Sequence, residues 1–134
     1  MRAICVAIAI ALPASAFAKS PVPEFGVISI LQERLARNFA ERCTGLEFDH
    51  AGHNRHILAR IAKYSDMGIH SRTLNDRFAP IPPFRYQRHI DRFNETHGLD
   101  QNSTLNDFCS AAEAEAAQRT PIGQMLKPVK DPQD

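Results

Sequence analysis

Residues 24–43 read EFGVISILQERLARNFAERC. Ile28, Leu31, Leu35, Phe39 and Cys43 recur at three- and four-residue spacing. That spacing lines up one face of an α-helix. Arg34, Arg37, Asn38 and Glu41 occupy the opposite side. The segment therefore predicts an amphipathic helix starting near Glu24, with Gly45 as its stop. Its buried stripe ends in a cysteine, and that cysteine bears on how the rest of the chain is held.

The same period recurs downstream. Asp49 suits the N-cap of a second helix carrying Ile57, Leu58, Ile61, Ala62 and Tyr64. Gly52 weakens its first turn and moves the expected start toward Asn54. Gly68 ends it, and Ser71 opens a short third helix through Leu74 to Phe78. The run from Ala79 to Pro83 breaks any helix. A fourth helix follows with Tyr86, Ile90 and Phe93 as its stripe, closed by Gly98. Thr104 and Asp107 resemble a capping box for a fifth, whose inner face is Leu105, Phe108, Cys109, Ala112 and Ala116. Thr120-Pro121 begins a last short turn through Ile122, Met125 and Leu126. No period-2 alternation is long enough for a sheet. The expectation is all-α: a compact array of four to five helices forming one domain over residues 19–127, with a disordered tail at 128–134.

The start of the chain has a different grammar. Met1-Arg2 is followed by an apolar run from Ile4 to Leu12, then by Ala16-Phe17-Ala18. This is the layout of a secretory signal peptide, cleaved after Ala18. The run is too short for a membrane anchor, which needs about 20 apolar residues. Export to the periplasm or the outside of the cell is the expectation, with no transmembrane anchor left after cleavage. The full chain has 134 residues, 16 basic and 15 acidic. Losing Arg2 with the leader balances the charge. A chain of this size and composition excludes a multidomain protein, a charged disordered chain and a protein with several membrane spans.

Cleavage removes Cys5 and leaves Cys43 and Cys109. In an oxidising compartment an even count reads as one disulfide. It would pin the end of the first helix to the fifth. No Cys-x-x-Cys motif supports redox chemistry.

From Cys109 the chain reads CSAAEAEAAQRTPIGQMLK. With Glu115, Thr120, Ile122 and Gly123 in place, this resembles the closing motif of an uncharacterised family of small exported bacterial helical proteins with two cysteines. Cys43 with Leu46 matches the family's first-cysteine region. The resemblance implies a helical fold and an exported location, and it implies no reaction. The histidine-rich stretch and the proline breaker depart from the family, where that region is continuous helix.

Two constellations invite chemistry. Asp49, His50, His53 and His56 place imidazole and carboxylate within eight residues, suited to zinc or copper. His50 and His56 diverge around a straight helix, however, and solvated histidines are the plain alternative. Residues 55–92 hold eight basic and three acidic side chains, and Arg85, Arg88 and Arg92 line one side of the fourth helix as a candidate anion-binding face. Residues 93–119 are acidic, so neutralisation by the fifth helix is the alternative there. Aromatics do not interleave with the arginines as a nucleic-acid platform requires, so no nucleic acid is expected. No catalytic signature occurs. The leading expectation is an exported helical protein with a structural or protein-interaction role, its partner unnamed by these residues. The other reading is a metal-binding module built on the histidine cluster.

Overall fold

The computed structural model describes residues 18–130, so the proposed leader and the last four residues lie outside the description. Among the described residues five helices form: α1 (Glu24–Arg42), α2 (His50–Asp66), α3 (Leu74–Arg77), α4 (Pro83–His97) and α5 (Leu105–Gln118). A 3-10 turn at Ser71–Thr73 leads into α3, and another at Gly123–Met125 follows α5. The architecture is helical, as the periodicities predict.

Local chemistry sets several boundaries. The Asp49 carboxylate accepts from the Ala51 N–H at 3.0 Å, so α2 begins at His50 and not near Asn54. Thr104 and Asp107 complete a reciprocal capping box at the start of α5. Gly98 takes φ +64 at the C-cap of α4, a conformation that glycine adopts without steric cost. Cys43 and not Gly45 ends α1, its N–H still donating to Phe39 at 2.8 Å.

α1 is the spine, and it feeds two buried clusters. Ala36, Phe39 and Cys43 meet Leu46, Ala112, Ile122, Met125 and Leu126. Toward the start of α1, Val27 and Leu31 meet Val22 and Tyr86. Cys43 and Cys109 form the disulfide, with Cα atoms 5.5 Å apart, joining the end of α1 to α5. The extended residues before α1 are also tied down: the Ser20 N–H donates to Arg77 at 2.9 Å, and Ala79 N–H donates to Ser20 at 2.9 Å.

Three expectations are corrected. First, Leu46–Phe48 and Leu126–Pro128 form a two-stranded antiparallel ribbon, β1 and β2, pairing Glu47 with Lys127. Three residues are too few to display an alternating pattern. Second, the tail does not begin at 128: Pro128 lies in β2, and Val129 donates to the Gly45 carbonyl at 3.1 Å. Third, the buried face of α2 consists of Gly52, His53 and Tyr64, whereas Leu58 is 64% exposed. The turn after α5 covers the start of α2, and a Cβ on Gly52 would collide with the Gln124 carbonyl. That close approach, absent from any periodicity, decides which side of α2 is buried.

A candidate binding cleft between the first two helices

α1 and α2 diverge enough to leave a groove of about 520 Å³. Phe25, Ile28, Ser29 and Gln32 form the α1 wall. Arg55, His56, Ala59, Arg60 and Lys63 form the α2 wall, with Pro121 and Gln124 at one end. The spacing on both walls is helical, so each wall is a continuous stripe. Ile28 lines this groove half-buried, while its neighbour Val27 is the fully buried residue. The α1 wall is largely apolar and the α2 wall is cationic. No carboxylate lines the groove.

The floor is cross-tied. The His56 Nε2 atom lies 2.8 Å from the Ser29 hydroxyl oxygen and 3.0 Å from the Ser29 carbonyl oxygen. Arg60 donates to the same hydroxyl at 3.3 Å. Behind it, Glu33 gathers Arg37 at 3.2 Å, His53 at 2.9 Å and Arg60 at 3.7 Å. Partial burial alone would raise the Glu33 carboxyl pKa. The Arg37 hydrogen bond and the His53 and Arg60 charges outweigh that, and the net shift is downward. The His53 contact is close without hydrogen-bond alignment, so it acts as a charge pair when the ring is protonated.

A hydroxyl against an imidazole suggests an activated nucleophile, which also needs a group orienting the imidazole and donors for an oxyanion. Among the described residues no carboxylate holds the second ring nitrogen of His56. Ser29 lies inside α1, where its backbone N–H serves the helix. The pair therefore ties two helices together and sets the floor of a binding groove.

The proposed metal cluster does not assemble. Asp49 caps α2. His50 is exposed and stacks edge-on against Phe48, with ring centroids 5.3 Å apart. His53 turns to Glu33 and His56 to Ser29. Among the described residues, no three His, Cys, Asp or Glu side chains gather to hold an ion. The cause is the 100° step between successive helical residues, which gives each imidazole a different neighbour.

The arginine face of α4 is partly neutralised. Arg85 donates to the Val22 carbonyl at 2.6 Å and to Glu24 at 2.8 Å. Arg88 and His89 reach the other Glu24 oxygen at 2.5 and 2.6 Å. Only Arg92 of the three arginines stays exposed without a carboxylate partner among the described residues. Counter-charge comes from the first residue of α1 and not from α5. The three donors lower the Glu24 pKa to about 2, with Arg85 contributing most.

The residues of the C-terminal motif pack together. Glu115 is buried and pairs with His97 of α4 at 2.7 Å. It also accepts from the Thr120 hydroxyl. That hydroxyl in turn accepts from the Gly123 N–H at 3.1 Å. A Cβ on Gly123 would strike the Glu115 carbonyl, and Ile122 is buried in the larger cluster.

Of the groove residues, sequence reasoning noted Arg55, Arg60 and Lys63 only as part of a basic segment. The missed signal is their register: Arg55, Ala59 and Lys63 repeat at four residues, forming a cationic stripe with no acid in it. No protein-family model matches the chain, and no curated protein or solved structure is significantly similar to it.

Proposed function

We propose that this chain is an exported, disulfide-stapled helical protein that acts by binding a partner through the α1–α2 cleft. The observation that carries the reading is the composition of that groove: a cationic α2 wall facing the apolar side chains of Phe25 and Ile28, with no carboxylate of its own. A groove of a few hundred Å³ lined mainly by apolar groups and a few convergent polar ones is the usual form of a recognition site. Export rests on the leader-like start of the chain, on the Cys43–Cys109 bridge and on the resemblance to small exported helical proteins. The structural role of Glu115, Thr120 and Gly123 accounts for the motif that carries that resemblance.

Two measurements test the proposal. N-terminal sequencing of protein recovered outside the cytoplasm should begin at Lys19; an intact Met1 on cell-retained protein refutes the location. A photo-crosslinking amino acid at Ala59, in the groove, should capture a partner in the exporting cell. The same residue at Glu113, exposed on α5, should not. Equal capture at both positions, or none at Ala59, refutes the cleft as the working surface.

A further inference from the structure

We infer that the occupant of the α1–α2 cleft is an acidic amphipathic segment of a partner protein, docked as a helix or extended turn between the two walls. The inference rests on the cleft's being the binding surface and adds the chemistry of what enters it.

Charge is unevenly spent along the α2 wall. Arg60 is engaged with Ser29 and Glu33 in the floor. The Arg55 side chain is 63% exposed and holds only a long 3.8 Å contact to Asp49. Lys63 makes no ion pair among the described residues, and its ammonium lies 5.7 Å from the Phe25 ring centroid. Arg55 and Lys63 thus stand two helical turns apart, on the order of 12 Å along the α2 axis. Two carboxylates at that separation would meet both cations.

The opposite wall sets the second requirement. Phe25 and Ile28 present apolar surface, with Ala59 low enough between the cations to admit a side chain. An occupant must therefore carry acidic residues on one flank and apolar residues on the other, which is the pattern of an amphipathic helix laid into a groove. Shape separates this from a small acyl or aryl acid. Small-ligand sites enclose most of their ligand's surface, whereas this groove is partly open to solvent. A peptide that brings its own second layer covers the open side itself.

Fluorescence anisotropy on the purified, disulfide-bonded protein tests the inference. The probe is a fluorescein-labelled synthetic helix of about 14 residues, with leucines at i, i+3, i+4 and i+7 and glutamates flanking that stripe. Saturable binding in the range of about 10 µM is expected. Arg55→Glu with Lys63→Glu should weaken it at least about tenfold, since both cations line the groove. Arg72→Glu, on the turn before α3, should leave it unchanged. If the double variant fails to fold by circular dichroism, Lys63→Gln and the salt dependence of the wild type take its place; affinity that does not fall with added salt overturns the inference. So does equal binding of a peptide with lysines for the glutamates. Displacement of the probe by micromolar dodecanoate would identify a small amphiphile as the occupant instead. A dimer that dissociates in the double variant would identify a second copy of this chain. Partner capture at Ala59 without binding of the acidic peptide would refute this inference alone, and absence of capture would refute the cleft itself.

Discussion

Glu115 is 8% exposed, and it holds His97 on one side and the Thr120 hydroxyl on the other. Removing one partner of a buried polar pair leaves the other desolvated and unmatched. Glu115→Ala should therefore destabilise the protein by about 2–4 kcal/mol, measured as a lowered urea midpoint. A change within about 0.5 kcal/mol would show that the contact is incidental. Gly123 sits in the same arrangement for a different reason. The Glu115 carbonyl occupies the space a Cβ would need. Gly123→Ala should cost about 1–3 kcal/mol by overpacking, read from the same denaturation curves. The residue types at 115, 120 and 123 were legible as a motif, and a cap and a tight approach are ordinary readings of Thr and Gly. The histidine partner was not legible, because His97 belongs to another helix and lies 18 positions upstream. Likewise nothing in the spacing of His50, His53 and His56 shows that Ser29 and Glu33 stand opposite two of them.

At the scale of elements, α1 and α4 are clamped by a carboxylate with three donors. Glu24 receives Arg85, Arg88 and His89, and its pKa falls to about 2 from an ordinary 4.5. A carboxylate with a depressed folded-state pKa stabilises the fold above its unfolded pKa. The contribution is lost as pH falls from about 4.5 toward 2. Urea midpoints should therefore drop more steeply across that window in the wild type than in Glu24→Gln. Parallel slopes would remove the clamp from the account of acid stability. α5 offers a second check at this scale. Thr104→Ala breaks the capping box and should cost about 1 kcal/mol, with no change in the unfolding slope against urea. The helix starts marked by Asp49, Pro83 and Thr104 are local chemistry, and the capping box at Thr104 was readable from the chain. The buried side of α2 was not, since Leu58 is exposed while Gly52 is covered by a turn more than 70 positions downstream.

At the scale of the whole molecule, the Cys43–Cys109 bridge joins positions 66 residues apart and ties α1 to α5 beside the larger buried cluster. The loop it closes removes unfolded-state entropy worth roughly 4 kcal/mol. That is a large share of the stability of a domain this small. Reduction, or Cys43→Ala with Cys109→Ala, should lower stability by that order and shift the thermal midpoint sharply downward. A shift of less than a few degrees would mean that packing alone holds α1 against α5.

The residues alone determined the helical class, the number of long helices and most helix starts. Those properties rest on interactions within about four positions of one another, so the period of apolar residues and the capping side chains carry them. Tertiary structure decided the rest. It fixed which apolar residues are buried, made Glu24 the counter-charge to Arg85 and Arg88 of α4, and dispersed the histidines among separate partners. It also opened the groove between Phe25 and Lys63, whose walls come from separate helices. Each of these depends on how helices distant in sequence approach one another. That approach is set by close contacts such as Gly52 against Gln124 and Gly123 against Glu115, and no local pattern encodes them.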